Sequence, residues 1–385
     1  MTGGGSGGHI TPLLSLAHEL KSKSPSCQII YIGHKGDKFD NLQRRYNDFD
    51  FLAFVNGGKF RRYHGESLWS HLTDWRTILL NIRDFFRVLS STAKAWRILY
   101  EVKPDVVFSK GGFVAVPVGI ATWLRGIPIV THDSDSLPGL ANRIVGRWAA
   151  VHATGMPAEF YDYPKDKSIY TGTPIDRRIK QFSTSEQRNY KKSLGIEPDS
   201  LVLLIAGGGL GSRNINQKII AIAPKLLNIV KKLNIIHLTG QANEEEVAQQ
   251  YKTILQGDVA KRVSILGFSS EFYKYLEASD LIVSRAGATA IAEFAAAHKA
   301  CILIPSSFLT GGHQLKNAAA LQKIGAVEVA QEDVSSQKLL DMIVKLLEDA
   351  KNRKILGNRL SSTAKLNAAS ELADILLGFT NKQNK

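Results

Sequence analysis

Along this chain of 385 residues, short apolar runs alternate with longer segments in which apolar positions return every three or four residues. Eight runs stand out: Cys27–Gly33, Pro104–Gly112, Pro128–Asp133, Ser200–Gly209, Ile235–Gly240, Val263–Phe268, Asp280–Gly287 and Cys301–Pro305. They are nearly continuous in Val, Ile and Leu and close on Gly or polar residues, as strands buried on both faces do. Between them, Ile10–Lys23, Asn214–Leu233, Glu244–Leu255, Ala288–Ala297 and Gln314–Ile324 carry a helical period. This alternation predicts an α/β architecture of doubly wound parallel sheets. A glycine-rich loop opens a helix twice, at Gly3–Gly8 and at Gly207–Gly211, and further β/α units follow each. The polar, proline-containing stretch Tyr161–Ser200 lies between them. A boundary near residue 165 follows: residues 1–164 and 165–365 each form a Rossmann-like domain, and 366–385 a helix end and tail. Ligands of such sheets bind outside the carboxyl ends of the strands. No strand precedes the first glycine loop in this sequence.

Ser67–Tyr100 breaks the pattern. It is aromatic, basic and helical in period, with Trp69, Leu72, Trp75, Ile78, Leu79, Ile82, Phe85, Phe86 and Leu89 spaced by three and four. Two readings fit: a helix resting on an anionic lipid surface, or a helix packed on the sheet. Both hold if different parts of the segment do different things.

Charge narrows the partners. There are 49 Lys and Arg against 35 Asp and Glu, a net +14, so an anionic partner is expected: nucleic acid, acidic membrane or a phosphorylated ligand. A surface merely kept soluble is the plainer reading. The two cysteines, Cys27 and Cys301, sit in or beside apolar runs, as buried free thiols of a cytosolic protein do. The glycine-rich start lacks the basic-then-apolar pattern of a secretory leader. The stretch Phe113–Leu124 is too short to span a bilayer, which takes about 20 residues.

The candidate chemistry sits at the ends of the runs. Gly3, Gly5 and Gly8 match G-x-G-x-x-G, but the next strand ends at Gly33-His34, with no acid to hold a dinucleotide ribose. The loop, including Gly7 and Gly8, instead offers bare N–H groups to a phosphate or sugar. His9 closes it, and an imidazole there suits a general base as well as a plain helix cap. Gly111 and Gly112 permit close approach at a second strand end. His132, Asp133 and Asp135 cluster at a third; a hydrogen-bonded turn or substrate site is favoured over a metal site, since no second ligand cluster accompanies them. Gly207, Gly208 and Gly211 form a better-framed anion loop, with strand before and helix after. Glu293, alone among alanines after Gly287, can accept from both hydroxyls of a ribose; an exposed helix face is the alternative. His313, Gln314 and Asn317 form a polar rim suited to sugar hydroxyls.

Seven of these segments occur together and in register: GGGSGGHITP, SKGGFVAVP, HDSDSLPGLANR, TGTPID, AGGGLGSRNIN, SRAGATAIAEFAAA and GGHQLKNA. In that order and spacing the chain resembles the MurG family of glycosyltransferases over nearly its whole length. The resemblance implies a GT-B fold, two Rossmann-like domains facing a cleft. It implies inverting transfer of N-acetylglucosamine from UDP-N-acetylglucosamine to the C4 hydroxyl of lipid I, giving lipid II for peptidoglycan. No cofactor or metal is implied, and no nucleic acid. The implied site of action is the cytoplasmic face of the cell membrane, held peripherally on its anionic surface. By this resemblance His9 deprotonates the acceptor, Glu293 holds the uridine ribose, and Arg285 serves the same strand end. Gly7 and Gly8 of the first loop face the donor, and Gly207, Gly208 and Gly211 lie beneath UDP. His313, Gln314 and Asn317 read the donor sugar, and Phe268 and Ser269 grip uracil, partly through backbone. Gly111, Gly112, His132 and Asp135 serve the acceptor. The chain departs from the family pattern at Asp133, at Gly209-Leu210, where Ser-Gln is usual, and at Asp176, where Arg is common. Those departures, and the missing first strand, keep two other readings open: a nucleotide-sugar-binding protein without turnover, and a GT-B transferase acting on another lipid-linked sugar.

Overall fold

All eight apolar runs contribute strands. The computed structural model describes residues 1–4, 7–35, 48–58, 75–307 and 312–380, apart from the side chains of 7–9 and 75–78. The chain divides into one unit made of Met1–Pro174 and Asn367–Lys385, and a second made of Ile175–Leu366.

In the first unit, β1 (Ile30–His34) pairs with β2 (Phe51–Val55), and β3 (Val107–Ser109), β4 (Ile129–Asp133), β5 (Val151–Thr154) and β6 (Ser168–Tyr170) follow one another, all parallel. The two groups meet through the first residues of the chain. Thr2 bridges both Ile32 and Ser109. Thr2 N donates to Phe108 O at 2.8 Å, Lys110 N to Thr2 O at 2.9 Å, and Ile32 N to Met1 O at 2.9 Å. A stub of strand thus occupies the place before the glycine loop, and the order β2-β1-stub-β3-β4-β5-β6 reverses direction between the stub and β3. Four strands were not foreseen: β2, β5, β6 and, in the second unit, β12 (Glu328–Val329).

Helix α1 (Gly7–Lys23) buries Leu13, Leu16 and Leu20 against one face of this sheet, beside Tyr31 and Phe108. Helices α2 (Trp75–Val102) and α3 (Ala115–Leu124) cover the other, where Ala95 and Leu99 meet Ile32, Val107 and Val118. A six-residue helix, α4 (Leu140–Val145), follows β4.

In the second unit, β7 (Leu201–Ala206), β8 (Leu233–Leu238), β9 (Val263–Leu266), β10 (Leu281–Ser284), β11 (Cys301–Leu303) and β12 form one parallel sheet in the order β12-β11-β10-β7-β8-β9. This is the dinucleotide-fold order, and it reverses between β7 and β10. Helices α5 (Thr184–Ser193), α6 (Arg213–Ile229), α7 (Glu244–Ile254), α8 (Phe272–Ala278), α9 (Ala288–Ala296), α10 (His313–Lys323), α11 (Ser336–Glu348) and α12 (Ala350–Ser361) accompany it. Two apolar cores result. One holds Leu203, Ile205, Ile219, Leu226 and Ile343, the other Leu204, Ile282, Phe294, Leu303 and Leu321. The last helix, α13 (Ala368–Thr380), belongs to the first unit. Leu372 and Leu376 join the core under α1, and Lys23 pairs with Asp374 at 2.6 Å.

Candidate functional site

Each unit presents a polar constellation where its strand order reverses, the place where parallel sheets leave a crevice for ligands. In the second unit the crevice opens between β7 and β10. The strand β7 ends in Gly207–Gly211, and Ser212 caps α6 through its Oγ. Gly208 and Gly211 take φ of +90° and +76°, a region that L side chains avoid. At Gly211 space is also decisive: a Cβ would lie 1.9 Å from Thr239 O. The same loop is pressed on by Gly240, whose Cβ would lie 2.3 Å from Leu210 O. Buried amides tie this seam: Asn216 Nδ2 and Asn243 Nδ2 each donate to Thr239 O at 3.0 Å. Behind it His237 bridges Asn216 Oδ1 and Tyr251 Oη, and burial lowers its pKa to about 3, so the ring is neutral. The result is a rigid loop with bare N–H groups at the positive end of a helix of 17 residues.

Across the reversal, β10 runs into α9. Ser284 Oγ donates to Ala206 O at 2.6 Å and locks the two strand ends together. Arg285 lies at this end, but its guanidinium is engaged: Nη1 on Ile304 O at 3.1 Å and Nη2 on Glu332 at 2.6 Å. Glu332 also accepts from Ser307 N and Oγ. Arg285 therefore braces the β10 and β11 ends. Glu293 lies in α9, where burial first and Asp176 second raise its pKa to about 8. A desolvated carboxyl at a crevice is a site candidate. In α10, Gln314 accepts from Ser306 N at 3.0 Å and Asn317 donates to Ala286 O at 3.1 Å, so both amides fix strand-end loops. His313 opens that helix. Ser269 Oγ accepts from Glu271 N and shapes the turn beside the exposed ring of Phe268. Asp176 is gripped by Arg178, with Nη2 at 2.6 Å from Oδ2, and that guanidinium lies 4.2 Å from the Tyr273 ring. No sequence signal linked Arg285 to Glu332, 47 positions on, or Arg178 to Tyr273.

In the first unit, Gly7 and Gly8 begin α1 and His9 is its third residue; their side-chain surroundings lie outside the described residues. Gly111 and Gly112 take φ of +91° and +83° after β3. His132 is fully buried, and its Nε2 donates to Gly172 O at 2.8 Å. Burial, with Lys110 behind it, lowers its pKa to about 3. Asp133 accepts from Tyr163 Oη at 2.8 Å, Asn142 Nδ2 at 3.1 Å and Gly139 N at 3.2 Å. Asp135 lies beyond, its carbonyl held by Tyr161 Oη at 2.7 Å. Among the described residues no three His, Cys, Asp or Glu side chains are grouped to hold a metal ion.

Residues 1–154 match the glycosyltransferase family 28 N-terminal domain, and residues 202–374 the family 28 C-terminal domain. Fold and family match together define a glycosyltransferase with the GT-B fold. The UDP-N-acetylglucosamine--N-acetylmuramyl-(pentapeptide) pyrophosphoryl-undecaprenol N-acetylglucosamine transferase of Clostridium botulinum strain Hall is 34% identical over 383 residues, covering 99% of this chain and 98% of its own. The Clostridium tetani protein of the same name is 32% identical over 388 residues, 100% of this chain and 98% of its own. The crystal structure of Acinetobacter baumannii MurG superposes with a TM-score of 0.68 at 24% identity, covering 98% of both chains. A putative UDP-N-acetylglucosamine 2-epimerase from Listeria monocytogenes shares the fold, with a TM-score of 0.67 at 12% identity over 99% of this chain and 96% of its own. The chain belongs to the MurG family of N-acetylglucosamine transferases.

Proposed function

We propose that this protein transfers N-acetylglucosamine from UDP-N-acetylglucosamine to the C4 hydroxyl of the muramyl sugar of lipid I, giving lipid II in peptidoglycan synthesis. The observation that carries this reading is the full-length relation to transferases of that name, 34% identical over 99% of the chain. The sheet-reversal site of the second unit agrees with it. In the proposed reaction His9 takes the proton from the acceptor hydroxyl. The freed oxygen attacks C1 of the donor sugar, the C1–O bond to UDP breaks, and the sugar inverts. The N-terminus of α6 and the loop Gly207–Gly211 offset the charge that grows on the departing diphosphate. Glu293 accepts from the ribose hydroxyls, with Ser269 and Phe268 at the base. His313, Gln314 and Asn317 frame the donor sugar, and Arg285 holds the strand ends beneath it. Gly111, Gly112 and Asp135 serve the acceptor, with His132 securing their turn from behind. Transfer of labelled N-acetylglucosamine to a soluble lipid I analogue tests the reading. UDP binding without transfer defeats it.

Glu293 gives a pH test. Its folded pKa of about 8 lies above the usual carboxylate range, so the free protein is largely protonated at pH 6.5. A carboxylate accepts two hydroxyls better than an acid does. Donor affinity is expected to tighten as pH rises from 6.5 to 9, and Glu293→Gln to flatten that profile and weaken binding about tenfold at pH 9. Titration calorimetry with UDP-N-acetylglucosamine reads both.

The proposed location is the cytoplasmic membrane face. Among the described residues no helix is long and apolar enough to cross a membrane. What supports surface contact is α2, 28 residues or about 42 Å long. Its core stripe is Asp84, Val88, Ser91, Ala95 and Leu99, whereas Leu79, Ile82, Phe85, Phe86 and Leu89 are at least half exposed. Arg83 and Arg87 flank that apolar face, both paired with buried Asp84. Phe86→Glu with Leu89→Glu is expected to cut cosedimentation with anionic vesicles at least about tenfold. Turnover of a water-soluble acceptor should be unchanged; equal vesicle binding removes α2 from the membrane face.

A further inference from the structure

Lys110 is the first residue past β3, where the strand order of the first unit reverses. The residue is only 4% exposed. Among the described residues its ammonium makes no hydrogen bond and no ion pair. The nearest opposite charges are Asp133 and Asp135. Asp133 is already committed to Gly139, Asn142 and Tyr163. Burial pulls the lysine's pKa down to about 8, so holding this charge here is costly. The neighbouring turn is unfinished in the same way. His132 Nδ1, Ser134 Oγ and Ser136 Oγ are buried with no hydrogen-bond partner. Glycines surround the lysine stem: Gly3 packs so closely that a Cβ there would lie 3.1 Å from Lys110 Cβ, and Gly111 and Gly112 follow at positive φ.

We infer that Lys110 is an acceptor-binding residue whose ammonium receives an anionic oxygen group of the acceptor, either its diphosphate or a carboxylate of its peptide. The inference rests on the reading that the first unit carries the acceptor. An ammonium at a sheet-reversal crevice, with no partner of its own and two idle hydroxyls in the adjoining turn, fits such a group and no apolar one.

Calorimetry without donor, using a soluble short-chain lipid I analogue, tests it on the full chain. Lys110→Met keeps the stem and loses the charge; Lys110→Arg keeps the charge. Lys110→Met is expected to weaken analogue binding about 10- to 100-fold, with Lys110→Arg recovering most of it and UDP binding unchanged. An analogue with its peptide carboxylates amidated separates the sources. If the gap between wild type and Lys110→Met closes, the carboxylate is the ligand; if it persists, the diphosphate is. Equal binding by wild type and a folded Lys110→Met, or a loss confined to UDP, overturns the inference. Wild type that binds the analogue but transfers no sugar to it defeats the proposed reaction and leaves this inference standing.

Discussion

Replacing His9 with alanine is expected to lower kcat by on the order of 10²–10⁴, with donor affinity unchanged. His9 is the third residue of α1, within its first turn, and no acid shares that turn. The positive end of a helix disfavours a second positive charge, and a neutral imidazole is the form a base requires. The loop before it is glycine and serine, with no bulky side chain in its sequence. His9→Gln keeps the polarity without the basicity and should be as slow as alanine. Steady-state kinetics with saturating UDP-N-acetylglucosamine decide the matter: a rate unchanged in either variant takes His9 out of the chemistry.

The second large effect lies in the other unit. Gly211→Ala must place a methyl 1.9 Å from Thr239 O while holding φ at +76°. The strained backbone costs about 1–2 kcal/mol, and forcing a group into packed surroundings about 1–3 kcal/mol more. The seam of Gly211, Gly240, Asn216 and Asn243 must open, so both thermal stability and UDP affinity should fall. Gly208 is the internal control. It has φ of +90°, but a Cβ there meets nothing within 4 Å, so Gly208→Ala should cost only the backbone strain. Melting curves and UDP titrations of the two variants side by side check this. Equal losses would mean that contact with Thr239 is not what requires glycine at 211.

The apolar runs were legible because parallel strands buried on both faces must be apolar throughout. Of the strands that escaped reading, β2 is Phe-Leu-Ala-Phe-Val and as apolar as the runs that were read, whereas β5, β6 and β12 lack that property. β6 is Ser-Ile-Tyr at a sheet edge, β12 is two residues long, and β5 carries His152, whose Nδ1 meets Thr131 Oγ1 in the interior. The glycine loop, the strand-end positions of Arg285 and Glu293, and the turn at His132 could all be placed from local pattern. What each side chain does there could not. His132 was expected to serve the acceptor, and its Nε2 is spent on Gly172 O, 40 positions away. Arg285 was expected at the donor, and its nearest anion is Glu332. Such partners are chosen by strand order, which a period of two or of 3.6 does not encode. The absent first strand was legible as an absence, but not the ladder that Met1 and Thr2 make between β1 and β3. In α2 the period revealed an apolar stripe, and only the fold shows that the more polar stripe faces the sheet.

The closing helix has a consequence for how the chain is made. Leu372 and Leu376 of α13 complete the core beneath α1, yet they are translated some 350 residues after it. The second unit is contiguous, Ile175–Leu366, and has everything it needs as soon as it clears the ribosome. The first must wait with the α1 side of its sheet uncovered while the whole of the second is synthesised. Order of synthesis and order of completion are therefore reversed, and the segment begun first is exposed longest to chaperones and to aggregation.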